Sequence, residues 1–398
     1  MPVSVIFGKI MDAIKMKSGY FYYYHLIKLS LFNSKNTQAR WTPRRCLIMA
    51  FLFPALVGLQ TIHWICFFMD DIFFKAYKDI KIKEPLFIVG VPRSGTTLLQ
   101  RILSNDTDKF TTCMLWELLF APAIIERKFF ILLGKLDAFL GKPVFRLINY
   151  LDRFAFKGLD DIHLASLTSP EEDYFLLLPV CACFLLIHIF PFDEEFWHLA
   201  YFDDQMPETD KKYIMSFYTS CLKRHLYIKG ADKQILSKNP SFTPMIQTLR
   251  QQFPDCKIIG CVRNPLQVVP SLVSSMMTGV HLFDNDPKDH VFRDQLIQML
   301  IHFYKHMHRC LPELPENRHC FVTMESLKNN LKHVVENIYD RFEYKVSPQF
   351  QAFLTNETTQ AKGYKSQHRY SLDQFDIPAK SLEHELADIF QKYGFFKS

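Results

Sequence analysis

None of the ten cysteines forms a Cys-x-x-Cys pair, and no zinc-finger spacing occurs. There is no basic helix with interleaved aromatics, so the net charge of +6 does not read as a nucleic-acid footprint. That charge is spread through the chain rather than gathered in blocks. Such a distribution fits an anionic small ligand or an anionic membrane surface. Internal repeats and low-complexity linkers are absent too. Cys181 and Cys183 lie in an apolar run, and Cys256 and Cys261 flank a predicted strand. Scattered thiols in apolar contexts read as reduced core residues, which favours a reducing compartment. Two glycosylation sequons, at Asn105 and Asn356, point the other way.

Apolar residues, by contrast, are plentiful. They make up 48% of the chain and include 38 phenylalanines, enough for a sizeable core. The first forty-five residues are basic and aromatic. Cys46 to Met69 then runs without a formal charge; as a helix it is long enough to cross a bilayer, although Gln60 and His63 interrupt its apolar character. Lys and Arg flank it on both sides, so the positive-inside rule gives no orientation. We read residues 1–83 as a membrane-associating helical region and residues 84–398 as the main folded domain. The cysteine pattern favours the cytoplasmic side for that domain, although a span with its N-terminus inside would put the domain across the membrane.

From residue 84 strands and helices alternate. Strands are predicted at Leu86–Gly90, Gln234–Ser237, Lys257–Val262 and Cys320–Thr323. Helices are predicted at Thr96–Leu103, Asp210–Lys229, Thr243–Gln252, Pro265–Met277, Val291–Cys310 and Leu327–Phe342. Leu115 to Asp161 reads as mostly helical with breaks at Gly134, Gly141 and Pro143, and Tyr174–Phe190 as a core helix. The pattern predicts an α/β fold with a P-loop-like, doubly wound parallel sheet flanked by helices. Ligands bind such sheets at the carboxyl ends of the strands.

The most informative stretch is Pro85 to Leu99. A buried strand enters the loop Val91-Pro92-Arg93-Ser94-Gly95, and a helix opens on Thr96 and Thr97. Backbone N–H groups and a positive helix end converge there, where a phosphate would sit. The spacing is that of a P-loop, but Thr96 stands in the lysine position, and Arg93 supplies the cation instead. No strand-terminal aspartate for magnesium is evident. Two further cations follow strand ends: Lys238 in Ser237-Lys238-Asn239-Pro240, and Arg263 in Arg263-Asn264-Pro265, with Ser271 in the next helix.

In combination these motifs resemble the sulfotransferases that use 3′-phosphoadenosine 5′-phosphosulfate, in the branch shared by bacterial and tyrosylprotein enzymes. The resemblance spans roughly residues 84 to 395. It rests on Pro92–Thr97, on Lys238, Pro240, Phe253-Pro254, Arg263, Pro265 and Ser271, on Ser169–Asp173, and on His368–Leu372. It implies that Arg93, Ser94, Gly95, Thr96 and Thr97 hold the 5′-phosphosulfate. Arg263 and Ser271 would then hold the 3′-phosphate, and Lys238 would face the transferring sulfuryl group. No metal is expected. Glu117, beside Trp116, is the first candidate for the general base, since burial there would bring its pKa toward a useful value; His163 is the rival. Lys365, His368 and Tyr370 are expected to close over the donor. Two features depart from the family. Asn264 stands where an aspartate is frequent, and the basic C-terminal donor clamp is not evident. The acceptor is expected to be a hydroxyl, on a lipid or glycolipid if the membrane segment is a guide. Alternatives are a P-loop kinase or NTPase, or a non-catalytic membrane-attached nucleotide-binding homologue.

Overall fold

The computed structural model describes residues 41–147, 150, 167–285, 290–360 and 371–396, together with Tyr23, Ile27, Lys28, Thr37 and Ala39. A 31-residue helix, α1 (Pro43–Phe73), comes first. The Thr42 hydroxyl caps it by accepting from the Arg45 N–H at 3.1 Å. Pro43 takes the first helical position, where a missing N–H costs nothing. The larger elements that follow are β1 (Leu86–Gly90), α2 (Thr96–Leu103), β2 (Phe110–Thr111), α3 (Leu115–Phe120) and α4 (Ile124–Phe139). After them come α5 (Glu208–Lys229), β3 (Gln234–Lys238), α6 (Ile246–Gln252), β4 (Lys257–Val262) and α7 (Pro265–Leu282). The series ends with α8 (His290–Cys310), β5 (His319–Thr323), α9 (Met324–Asn329) and α10 (Leu331–Arg341). Among the described residues α1 is the one helix long and apolar enough to cross a membrane by length and composition.

The strands form one parallel sheet in the order β2-β3-β1-β4-β5. The chain leaves β1 to one side for β2 and β3, then returns past β1 to β4 and β5. That reversal makes the carboxyl ends of β3, β1 and β4 the natural ligand crevice. All five residues of β1 are buried, because helices cover both faces. Side chains alternate accordingly. Phe87, Val89, Ile235 and Ile258 join the larger core cluster. Leu86, Ile88, Leu236 and Ile259 pack on the other face against Leu99 and Leu103 of α2 and Val335 and Ile338 of α10. Gly90 ends β1 at φ 137°, and a Cβ there would lie 2.3 Å from the Cys261 carbonyl oxygen. Only glycine lets the two strands approach so closely.

Four expectations need correction. The Tyr174–Phe190 run is buried but is not an α-helix. It forms 3-10 turns at Asp173–Val180 and Phe184–His188, separated where Cys181 adopts φ 54°. Pro179 lacks the N–H that a continuing helix needs. Helix α4 runs through Gly134; the chain breaks in Ala121-Pro122-Ala123 and, as expected beside Gly141 and Pro143, at Leu140–Lys142. The predicted Thr243–Gln252 helix begins as a 3-10 turn at Pro240–Met245, where Pro244 again removes a donor. The predicted Leu327–Phe342 helix is two helices divided at Asn330. The two-residue strand β2 was not foreseen.

Candidate functional site

Between β1 and α2 the chain makes a tight loop. Arg93 sits at φ 67° and Gly95 at φ 93°. A left-handed conformation at a non-glycine residue costs on the order of 1–3 kcal/mol, and such strain gathers at ligand clamps. The Ser94 hydroxyl donates to the Val91 carbonyl at 2.6 Å and closes the turn. From the other side α9 leans on the loop, so that a Cβ on Gly95 would meet the Met324 sulfur at 2.6 Å. Thr96 and Thr97 open α2, whose first N–H groups and positive dipole end face out of the turn.

The second strand end adds a linked set of donors. Arg263 Nη1 donates to the Arg93 carbonyl at 3.0 Å, and Arg93 Nε donates to the Ser271 hydroxyl at 3.2 Å. The Tyr304 hydroxyl holds the Arg263 carbonyl at 2.5 Å. Burial and the neighbouring Arg93 charge both push the Arg263 guanidinium below its ordinary value. Lys328, at the end of α9, is likewise pushed down, by burial and by Arg263. Sequence reasoning missed Lys328. The only signal was its place on the helix that follows β5, one strand beyond those already considered. Cations crowded this way favour an anion among them.

The third strand end carries Lys238, 1% exposed. Its ammonium lies 2.8 Å from Glu172 and 3.5 Å from Glu171. Burial pushes the Glu172 carboxyl up, with Lys238 pulling against it. Asp173 pins this acidic segment to β3. It accepts from the Tyr218 hydroxyl at 2.6 Å, from the Ser237 hydroxyl at 2.8 Å and from the Asn239 amide. Asn239 in turn accepts from the Tyr174 N–H at 3.1 Å. On its other side the segment is stitched to the residues before α3. Leu115 N–H donates to Ser169 and Glu171 N–H donates to Cys113, each at 3.1 Å. Sequence reasoning took Ser169–Asp173 as a unit but did not foresee this network, although Ser237 and Asn239 flank Lys238.

Strands β3 and β4 both pair with β1, with Ile88 opposite Lys238 and Gly90 opposite Cys261. Lys238 and Arg263 therefore leave strands separated laterally by two sheet spacings, roughly 10 Å. Two cations so separated stand on either side of the loop that follows β1. The family follows at once from the comparison of sequences. This chain belongs to the sulfotransferase family. The family model matches residues 85–348 and so includes every one of these strand ends. No curated protein matches the chain. Among solved structures, sulfotransferase STF9 from Mycobacterium avium aligns with a TM-score of 0.69 at 16% identity, covering 90% of this chain and 88% of that one. Sulfotransferase STF1 from Mycobacterium tuberculosis H37Rv aligns with a TM-score of 0.61 at 17% identity, covering 92% of each chain. At such identities the likeness is one of fold.

The sulfotransferase sheet thus brings Arg93, Ser94, Gly95, Thr96, Thr97, Arg263, Ser271 and Lys238 to one edge. Glu117 is engaged elsewhere. It is 1% exposed, accepts from the Met114 N–H at 2.9 Å and pairs with Lys229 at 2.7 Å. Arg127 stands 3.9 Å away. Cys113, Glu117 and His225 lie close enough together to suggest metal ligands. However, Arg127 Nη1 donates to His225 Nδ1 at 2.7 Å, which fills that lone pair with a guanidinium. Burial also pushes the Cys113 thiol well up, away from the thiolate a metal wants. His163, Lys365, His368 and Tyr370 lie outside the described residues. An apolar cavity lined by Tyr174, Leu177, Phe184, Phe202, Phe242 and Met245 adjoins the acidic segment; none of the three cations lines it.

Proposed function

We propose that this sulfotransferase moves a sulfuryl group from 3′-phosphoadenosine 5′-phosphosulfate to an acceptor hydroxyl at a membrane surface, the acceptor being a lipid or glycolipid. The reading rests chiefly on one observation: Arg93, Lys238 and Arg263 leave the carboxyl ends of three adjacent parallel strands, with Arg93 bonded to Ser271 and Arg263 bonded to Arg93. In this reading Ser94–Thr97 and Arg93 bind the 5′-phosphosulfate. Arg263, Ser271 and Lys328 bind the 3′-phosphate. Lys238 meets the bridging oxygen on which negative charge grows as the sulfuryl group leaves. A fixed cation there stabilises the transition state more than the ground state.

For the base we favour Glu172. Its carboxyl sits beside Lys238 with its pKa raised, whereas both oxygens of Glu117 are already committed. When the donor's oxygens take over Lys238, Glu172 gains a free lone pair for the acceptor proton. Binding and base activation are then linked through one ammonium. None of the ten cysteines, all among the described residues, forms a disulfide, which favours a catalytic domain on the cytoplasmic side. A kinase reading fares worse, because Thr96 occupies the lysine position and no strand-end aspartate is placed for magnesium among the described residues. The test is transfer of radiolabelled sulfate from the donor to lipid, glycan and protein fractions. Label is expected in the lipid fraction. Label only in glycans or peptides would remove the lipid acceptor. Binding without any label would leave a non-catalytic homologue.

A further inference from the structure

The apolar helix α1 carries four polar residues on one stripe, Arg45, Gln60, His63 and Asp70, and all are buried. They face the folded domain. Arg45 donates to Asn285 at 2.6 Å and to the Ile189 carbonyl at 3.0 Å. His63 meets Glu126 at 2.7 Å. Asp70 accepts from Arg224 at 3.0 Å and from the Ile124 and Ile125 N–H groups at 2.8 and 3.0 Å. Arg45 and Asp70 are about 37 Å apart along a helix that rises ~1.5 Å per residue. The domain therefore holds α1 over the whole length that a hydrocarbon core would need. If the helix crossed a bilayer, these groups would lose their partners or the domain would follow them into lipid.

The opposite face is apolar and open. Leu47, Phe51, Ile62, Ile65, Phe68 and Phe73 are each more than half exposed. Helix α4, which begins where Asp70 caps it, extends this surface. Only its first turn is buried. From Lys128 onward it is exposed almost all round, although it carries Phe129, Leu132, Leu136 and Phe139, the last 86% exposed. A turn at Leu140–Lys142 returns the chain through another short helical stretch, 143–147, with Val144, Phe145 and Leu147 also exposed. An exposed helix this rich in large apolar residues is stable against a core or lipid rather than in water.

We propose that α1 and the 128–147 prong form a monotopic membrane anchor. Both dip into one leaflet rich in anionic lipid, and α1 does not span. Charge selects this occupant over a second copy of the chain. The prong's exposed ionised groups are Lys128, Lys135, Lys142 and Arg146. Its one acid outside the buried first turn, Asp137, is used to accept from the Val144 and Phe145 N–H groups at 2.8 and 3.0 Å. A self-paired prong would bring like charges together without acids to meet them. Anionic headgroups supply what the lysines lack. This anchor is independent of the donor reading and would persist if that reading failed.

The full chain is tested by co-sedimentation with phosphatidylcholine vesicles, with and without phosphatidylserine. The wild type is expected to bind, more strongly with phosphatidylserine. Leu132→Asp with Phe139→Asp is expected to weaken binding roughly tenfold or more and to leave the thermal unfolding midpoint unchanged, which checks the fold. Lys135→Glu with Lys142→Glu is expected to remove the phosphatidylserine dependence. Protease added outside sealed vesicles is expected to cleave an N-terminal tag as readily as the catalytic domain. Vesicle binding unaffected by the aspartates, a wild type that ignores vesicles, or a lipid-free dimer that the aspartates split would each overturn the proposal. A tag protected while the domain is cleaved would show that α1 spans.

Discussion

Lys238→Ala is expected to lower kcat by a factor of roughly 10²–10³, the usual cost of removing one preorganised charge from a developing oxyanion. Affinity for adenosine 3′,5′-bisphosphate should change far less, since that nucleotide lacks the sulfuryl group that Lys238 is proposed to face. Lys238 is almost fully buried at the end of β3 and lies 2.8 Å from Glu172. It is therefore held without the side-chain freedom that would blunt its effect. Initial rates at saturating donor, read beside calorimetric binding of the bisphosphate, separate chemistry from folding. A fall of less than about tenfold would remove Lys238 from the transition state.

The second large effect concerns the base. Glu172→Gln is expected to reduce kcat by roughly 10²–10⁴ with little change in donor affinity, the range for a general base. Glu117→Gln is expected to act on the fold instead. It removes the charge that pairs with Lys229 at 2.7 Å inside the cluster containing Arg127 and His225. Lys229 is about one-third exposed, so the loss is discounted to roughly 2 kcal/mol of unfolding free energy. Turnover per folded molecule should survive. Were the two variants to exchange these phenotypes, the base would be Glu117 and Glu172 would serve only to hold Lys238 between turnovers.

Much of the cationic sheet edge was legible because each cation follows an apolar run that reads as a central strand. Leu86–Gly90 before Arg93, and Lys257–Val262 before Arg263, are bounded by Gly and Pro and read without ambiguity. Lys238 was legible for the same reason, one residue beyond the predicted strand. What stayed hidden depended on distant partners. The pairing that engages Glu117 is made by Lys229, and Asp173 is seated by Tyr218, both on a helix far along the chain. The run from Tyr174 to Phe190 is apolar without a period, and periodicity cannot tell a buried 3-10 segment from a helix. Strand β2 is two residues long, below what alternation can register. The 24 uncharged residues of Cys46–Met69 suggested a span. Only the structure reveals that Gln60 and His63, with Arg45 and Asp70 just outside that stretch, share one buried stripe.

Cations at one sheet edge are proposed to grip a nucleotide at both ends of its ribose. Calorimetric titration of the full chain with adenosine 3′,5′-bisphosphate and with adenosine 5′-phosphate tests it most directly. The wild type is expected to prefer the bisphosphate by roughly 30-fold or more, the worth of one or two charge-assisted contacts to the 3′-phosphate. Arg263→Ala should erase most of that preference and leave the monophosphate affinity nearly as it was. Equal affinity of the wild type for the two nucleotides would contradict the account.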